Sequence, residues 1–185
     1  MATLSEARVL GGIGSILLIL SLVPNVGPIL GIVGFILLLI AIKYISDIVG
    51  DEQIFKNMLI AVILAIVGLF SGIIIGGAAI FSLLSGGLLT RGIAPPANFL
   101  SILFGAFFIH LMIAFIIVWI FMIISAIFFR KSLDSIASKL NIGMFSTAGI
   151  IYLIGAIIPV IGFIVMIIAA ILLAVAFFSI PEKPP

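Results

Sequence analysis

The sequence predicts an all-α fold, a polytopic transmembrane helical bundle of about six spans. Composition is the first ground: 65% of the 185 residues are hydrophobic and 8% are charged, against about 25% charged in a typical soluble domain. Mean hydropathy is correspondingly high, at +1.64. The second is run length, since the charges divide the chain into apolar blocks at 9–42, 57–90, 92–129 and 140–181, each beyond the roughly 18 apolar residues that suggest a span. The third is a strong turn signal inside the first block, so that one apolar block holds two helices.

That signal is Pro24-Asn25-Val26-Gly27-Pro28. Proline lacks a backbone donor and restricts the residue before it, so the block splits into a tight hairpin. The segment 9–23 covers only about 22 Å as a helix, less than the roughly 30 Å hydrocarbon core. It must borrow residues 4–8, thin the bilayer or stay re-entrant. The basic and apolar start resembles a signal peptide, but no A-x-A site follows, so it reads as an uncleaved first span.

The last block repeats the first. A shift of 135 residues sets Pro24 on Pro159 and Gly27 on Gly162, and 13 of the 32 positions in 14–45 and 149–180 are identical. About four matches would be expected by chance in so aliphatic a chain. The copies start on the same side, as parallel repeats do. Between them, 57–85 and 99–129 read as two long helices joined through Gly86-Gly87, Arg91 and Pro95-Pro96. The chain is thus one transmembrane domain: repeat hairpin 4–46, central hairpin 52–130, a cytoplasmic amphipathic segment 131–142, and repeat hairpin 143–180.

Charge placement sets the orientation. Arg8, Lys43, Lys56, Arg130, Lys131, Lys139 and Lys183 fall on one side and Arg91 on the other, and the positive side is expected to be cytoplasmic. Both termini then face the cytoplasm of a cell membrane. Leu133, Ile136 and Leu140 recur at helical spacing opposite Lys131, Asp134, Ser135, Ser138 and Lys139, the pattern of a short interfacial helix. Gly50 is placed to end a helix carrying Tyr44 and Ile48, Asp51 to cap the next, and Glu52 to pair with Lys56 at i,i+4.

Few residues carry chemistry. Gly68, Gly72 and Gly76 form a G-x-x-x-G-x-x-x-G strip, extended by Ala61, Ala65 and Ala79. Small residues let helices approach closely in lipid, so the strip fits packing against the fourth span, a homo-oligomer interface or a pore-lining face. His110, the lone histidine, lies deep in a span, where an ionisable group marks either a packed hydrogen bond to a carbonyl or serine, or a proton or substrate contact. Metal ligation lacks a second ligand. Asp47, Asp51 and Glu52 could hold a divalent cation, though capping and pairing account for them. Trp119, deep in its span, reads as core packing ahead of ligand stacking.

With no cysteine, disulfides, thiolate metal sites and cysteine nucleophiles are excluded. No predicted hydrocarbon segment holds Asp, Glu, Lys or Arg, which disfavours an ion-coupled transporter. No metalloprotease, nucleophile-elbow or P-loop motif is present, and no catalytic residue, cofactor site or nucleic-acid footprint can be assembled. The bilayer is the expected partner, with a homo-oligomer or membrane complex beside it.

The stretches Leu10-Gly11-Gly12-Ile13-Gly14-Ser15-Ile16-Leu17, Val23-Pro24-Asn25-Val26-Gly27, Ile40-Ala41-Ile42-Lys43-Tyr44-Ile45-Ser46-Asp47 and Leu173-Ala174-Val175-Ala176-Phe177-Phe178-Ser179-Ile180 resemble a mainly archaeal family of uncharacterised integral membrane proteins, a domain of unknown function. The resemblance implies a membrane location and no activity. The expected role is therefore a non-enzymatic assembly, accessory or structural component. A channel or transporter for a small neutral solute or lipid through the central helices stands second, and a lipid-modifying enzyme third.

Overall fold

The computed structural model describes residues 3–89, 99–159 and 162–181. These form six helices: α1 Leu4–Leu20, α2 Gly27–Val49, α3 Glu52–Leu89, α4 Phe99–Leu140, α5 Gly143–Ile157 and α6 Gly162–Phe178. Among the described residues there is no strand, and the chain is a helical membrane bundle. Three segments are long and apolar enough to cross a membrane by length and composition: Gly27–Val49, Glu52–Phe81 and Phe104–Leu140. The helices α1, α5 and α6, of 17, 15 and 17 residues, reach about 22–26 Å at 1.5 Å per residue.

Helix α1 does borrow the residues before position 9. The Thr3 hydroxyl accepts from the Glu6 amide at 3.2 Å while the Glu6 carboxylate accepts from the Thr3 amide at 3.0 Å, a capping box that starts the helix at Leu4. The first turn then forms where Pro24 and Gly27 require it, with Asn25 in the left-handed region at φ 69°. A Cβ on Gly27 would lie 2.1 Å from the Ser21 carbonyl oxygen, and one on Gly162 would lie 1.9 Å from that of Gly155. In both hairpins the returning helix starts pressed against the outgoing backbone, a contact only glycine permits. Gly50, at φ 67°, ends α2 as expected, and the Asp51 carboxylate accepts from the Gln53 amide at 3.0 Å.

Two departures from expectation concern the long helices. Helix α3 runs through Gly86 and Gly87 to Leu89, past the end expected at 85. Helix α4 has no break at 129 and continues to Leu140, absorbing the segment set apart as an interfacial helix. No glycine or proline interrupts 130–140, and the i,i+4 pair Arg130–Asp134 at 3.3 Å carries the helix across the expected boundary. Arg91, Pro95, Pro96 and Lys183 lie outside the described residues.

The chain divides into two compact units, Met1–Ile63 with Ile123–Pro185, and Leu64–Met122. In the first, α1 packs against both α2 and α6, and α5 packs against α6. Its core gathers Leu4 and Ala7, Leu38 to Ile45 of α2, Ile54 and Met58, Leu133 to Leu140, Phe145, and Leu173 to Ile180. Every one of these lies toward the charge-bearing helix ends, so this unit is tightest there. Toward the turns of α1 and α2, Leu22, Val23, Val26, Ile29 and Ile32 are exposed. In the second unit, α3 and α4 residues meet directly, with Ala79 and Ala114 buried.

Candidate functional site

The charged end of the first unit is held by side chains that the apolar pattern does not announce. Ser125 donates to the Ala61 carbonyl and Ser132 to the Ile54 carbonyl, both at 2.8 Å and both buried. The two donors sit seven residues apart on α4 and their acceptors seven apart on α3. That is the spacing at which one seam of an antiparallel helix pair repeats. Ser46 donates to the Asp51 carbonyl at 2.9 Å, closing the α2–α3 corner.

Ion pairs tie the same region. Lys43 meets Asp47 at 2.5 Å, Arg130 meets Asp134 at 3.3 Å, and Lys139 reaches Asp51 at 3.7 Å. The first two join successive turns, whereas the third links the α2–α3 connection to the end of α4. Glu52 and Lys56 are both exposed and are not among these pairs; the bridge made by this connection runs from its capping residue Asp51 instead. Ser146 of α5 donates to the Asp134 carboxylate. The Arg130 Nε is buried and, though near Asp134, is out of line for a hydrogen bond.

Two lysines lie over aromatic rings, Lys43 at 5.4 Å from the centroid of Phe55 and Lys131 at 5.2 Å from that of Phe128, within cation–π range. Beside the first, Leu39, Ile40, Lys43, Tyr44 and Phe55 line an open groove of about 390 Å³. The sequence places Tyr44 on the helix that Gly50 ends, but Phe55 and the groove are not legible in it, because they depend on how α2 and α3 fold back at Gly50.

The residues singled out from sequence fall on different elements. Pro24 and Gly27 form the first turn, and Pro159 and Gly162 border the second. A Cβ on Gly68 would lie 2.6 Å from the Phe121 Cβ and one on Gly72 would lie 2.4 Å from a Val118 methyl, while one on Gly76 would meet nothing within 4 Å. Gly68 and Gly72 therefore seat α4 side chains and Gly76 does not. The His110 Nδ1 donates to the Ala106 carbonyl of its own helix at 2.7 Å, with the ring exposed. Trp119 stacks on Phe115 with centroids 6.4 Å apart. Asp47 and Asp51 each face a lysine, and among the described residues no three of His, Asp or Glu converge on a metal-binding point.

A family described as "Protein of unknown function (DUF996)" matches residues 30–171. The uncharacterized protein MJ1644 of Methanocaldococcus jannaschii is 34% identical over 181 residues, covering 97% of this chain and 94% of the relative. No solved structure matches. Since both matches cover most of the chain, the chain belongs to the DUF996 family of proteins of unknown function.

Proposed function

We propose that this protein is a non-enzymatic assembly or accessory component of a cell membrane, presenting its charged end as a preformed surface on the cytoplasmic side. One observation carries the reading: the serine and the histidine placed within Leu64–Met122, Ser71 and His110, each bond to a carbonyl of their own helix. Ser71 donates to the Val67 carbonyl at 2.8 Å and His110 to that of Ala106. A solute path needs polar groups that converge and remain available, whereas these two are satisfied locally. The buried core, the serine bonds and the ion pairs instead concentrate order at the charged end.

The cytoplasmic placement of that end rests on the excess of lysine and arginine there. An internal duplication is part of the proposal. Positions 27, 34, 38, 41, 42 and 45 are all buried, and so are 162, 169, 173, 176, 177 and 180, the same set displaced by 135. The contacts of Gly68 and Gly72 favour packing within the chain over a homo-oligomer face.

The absence of cysteine makes the test clean. Single cysteines at Gly72, His110 and Trp119, in proteoliposomes, should not react with a membrane-impermeant thiol reagent, while one introduced at Lys139 should. Labelling along one face of the central helices, together with release of a trapped neutral solute, would replace the assembly reading with the channel reading.

A further inference from the structure

The groove between the end of α2 and the start of α3 has a graded lining. Leu39 and Ile40 of α2 supply apolar lining, Lys43 and Tyr44 follow about one helical turn later, and Phe55 of α3 completes the lining. Leu39, Tyr44 and Phe55 each pack against the buried core, so the walls are fixed by the fold. The Lys43 side chain is 47% exposed and its ammonium lies over the Phe55 ring. A long side chain that lays its stem on apolar surface and carries its charge to the rim is the usual arrangement at a membrane interface.

We propose that this groove binds an anionic phospholipid, with one acyl chain along Leu39, Ile40 and Phe55 and the phosphate on the Lys43 ammonium beside Tyr44. Three arguments carry it, and they rest on the membrane location alone, independent of the assembly role. In a bilayer, an apolar recess of about 390 Å³ is filled by acyl chain, the apolar matter at hand, and water gains nothing by entering it. The one charged side chain in its lining is the basic Lys43, and a basic residue at the surface favours anionic lipid. A choline headgroup would look for an aromatic face, but the Phe55 face is already taken by the Lys43 ammonium, which also repels a second cation.

Asp47 is the counterweight. Its carboxylate sits 2.5 Å from the Lys43 Nζ, so an incoming phosphate competes with it for the same ammonium. This gives the two residues opposite effects on lipid. Removing the cation should weaken binding, and removing the competing carboxylate should strengthen it. A merely structural i,i+4 pair would instead lose stability from either change and prefer no headgroup.

The test uses full-length protein in nanodiscs of dioleoyl phosphatidylcholine carrying a minor fraction of dioleoyl phosphatidylglycerol, with retained lipid counted by native mass spectrometry. The wild type should retain phosphatidylglycerol in preference to phosphatidylcholine. Lys43→Gln should lower that retention about fivefold, the scale of one basic residue at an anionic surface, and Asp47→Asn should raise it. Lys131→Gln, which removes a lysine in the same stance over Phe128, should leave it near the wild-type value. Equal loss in Lys43→Gln and Lys131→Gln, weaker retention in Asp47→Asn, or no headgroup preference would each overturn the proposal. Position is tested separately with Phe55→Trp in a Trp119→Phe background. Brominated phosphatidylglycerol should quench the introduced indole more than brominated phosphatidylcholine does, and equal quenching would count against the site.

Discussion

Gly14 and Gly34 approach each other so closely that neither has room for a methyl group. A Cβ on Gly14 would lie 2.7 Å from the Gly34 carbonyl oxygen, and a Cβ on Gly34 would lie 2.7 Å from that of Gly14. In lipid, helix association depends on such van der Waals fit because the surroundings are as apolar as the side chains. Gly14→Ala and Gly34→Ala should each cost about 1–3 kcal/mol through overpacking, read as a lower midpoint of unfolding on titration with a denaturing detergent. Gly76→Ala, with open space around it, should be neutral or slightly stabilising, since alanine is the better helix former. Equal losses at all three positions would mean that helix flexibility, not contact, explains the glycines.

At the scale of elements, the pair α3 and α4 is joined in the first unit by the buried hydroxyls of Ser125 and Ser132. Ser125→Ala and Ser132→Ala should each destabilise by about 0.5–1.5 kcal/mol, and the double variant by about the sum, because sites a heptad apart share no partner. A detergent-unfolding series of the singles and the double checks this, and a double variant as stable as the wild type would remove the hydroxyls from the account. Helix existence was legible from sequence because proline, glycine and charge mark the ends: Pro24, Gly27 and Gly50 act where the reading put them. Helix facing was legible only over 131–140, where Leu133, Ile136 and Leu140 are buried opposite the polar side chains; in the apolar spans leucine and isoleucine occur on every side and no polar face marks the outside. The extension of α4 to Leu140 was missed for a related reason, as Arg130 and Lys131 look like an end when the backbone simply carries on beneath them. The groove at Lys43 belongs to the same class, being composed by two helices whose sequences do not mention each other.

Across the first unit as a whole, Phe177 is the keystone of the charged end. It is fully buried, meets Phe145 edge-on with centroids 5.0 Å apart, and occupies the space that a side chain at Gly11 would need. One ring thus joins α1, α5 and α6. Phe177→Ala should cost about 3–5 kcal/mol, whereas Ile164→Ala, at a position 60% exposed, should change stability little. Comparable losses at the two positions would show that the core is not concentrated where the burial places it.

The contact of α1 with α6 also bears on how the protein is made. Helix α1 has as a neighbour α6, some 140 residues later in sequence, so the Gly11 and Gly12 surface of α1 stays uncovered until α6 has been synthesised. Hairpins close early from local contacts, while pairings distant in sequence form late. Biogenesis should therefore pass through a stage in which the opening hairpin is inserted but unclasped. Until residue 177 arrives, that stage is open to quality-control proteases and to premature pairing with other nascent helices.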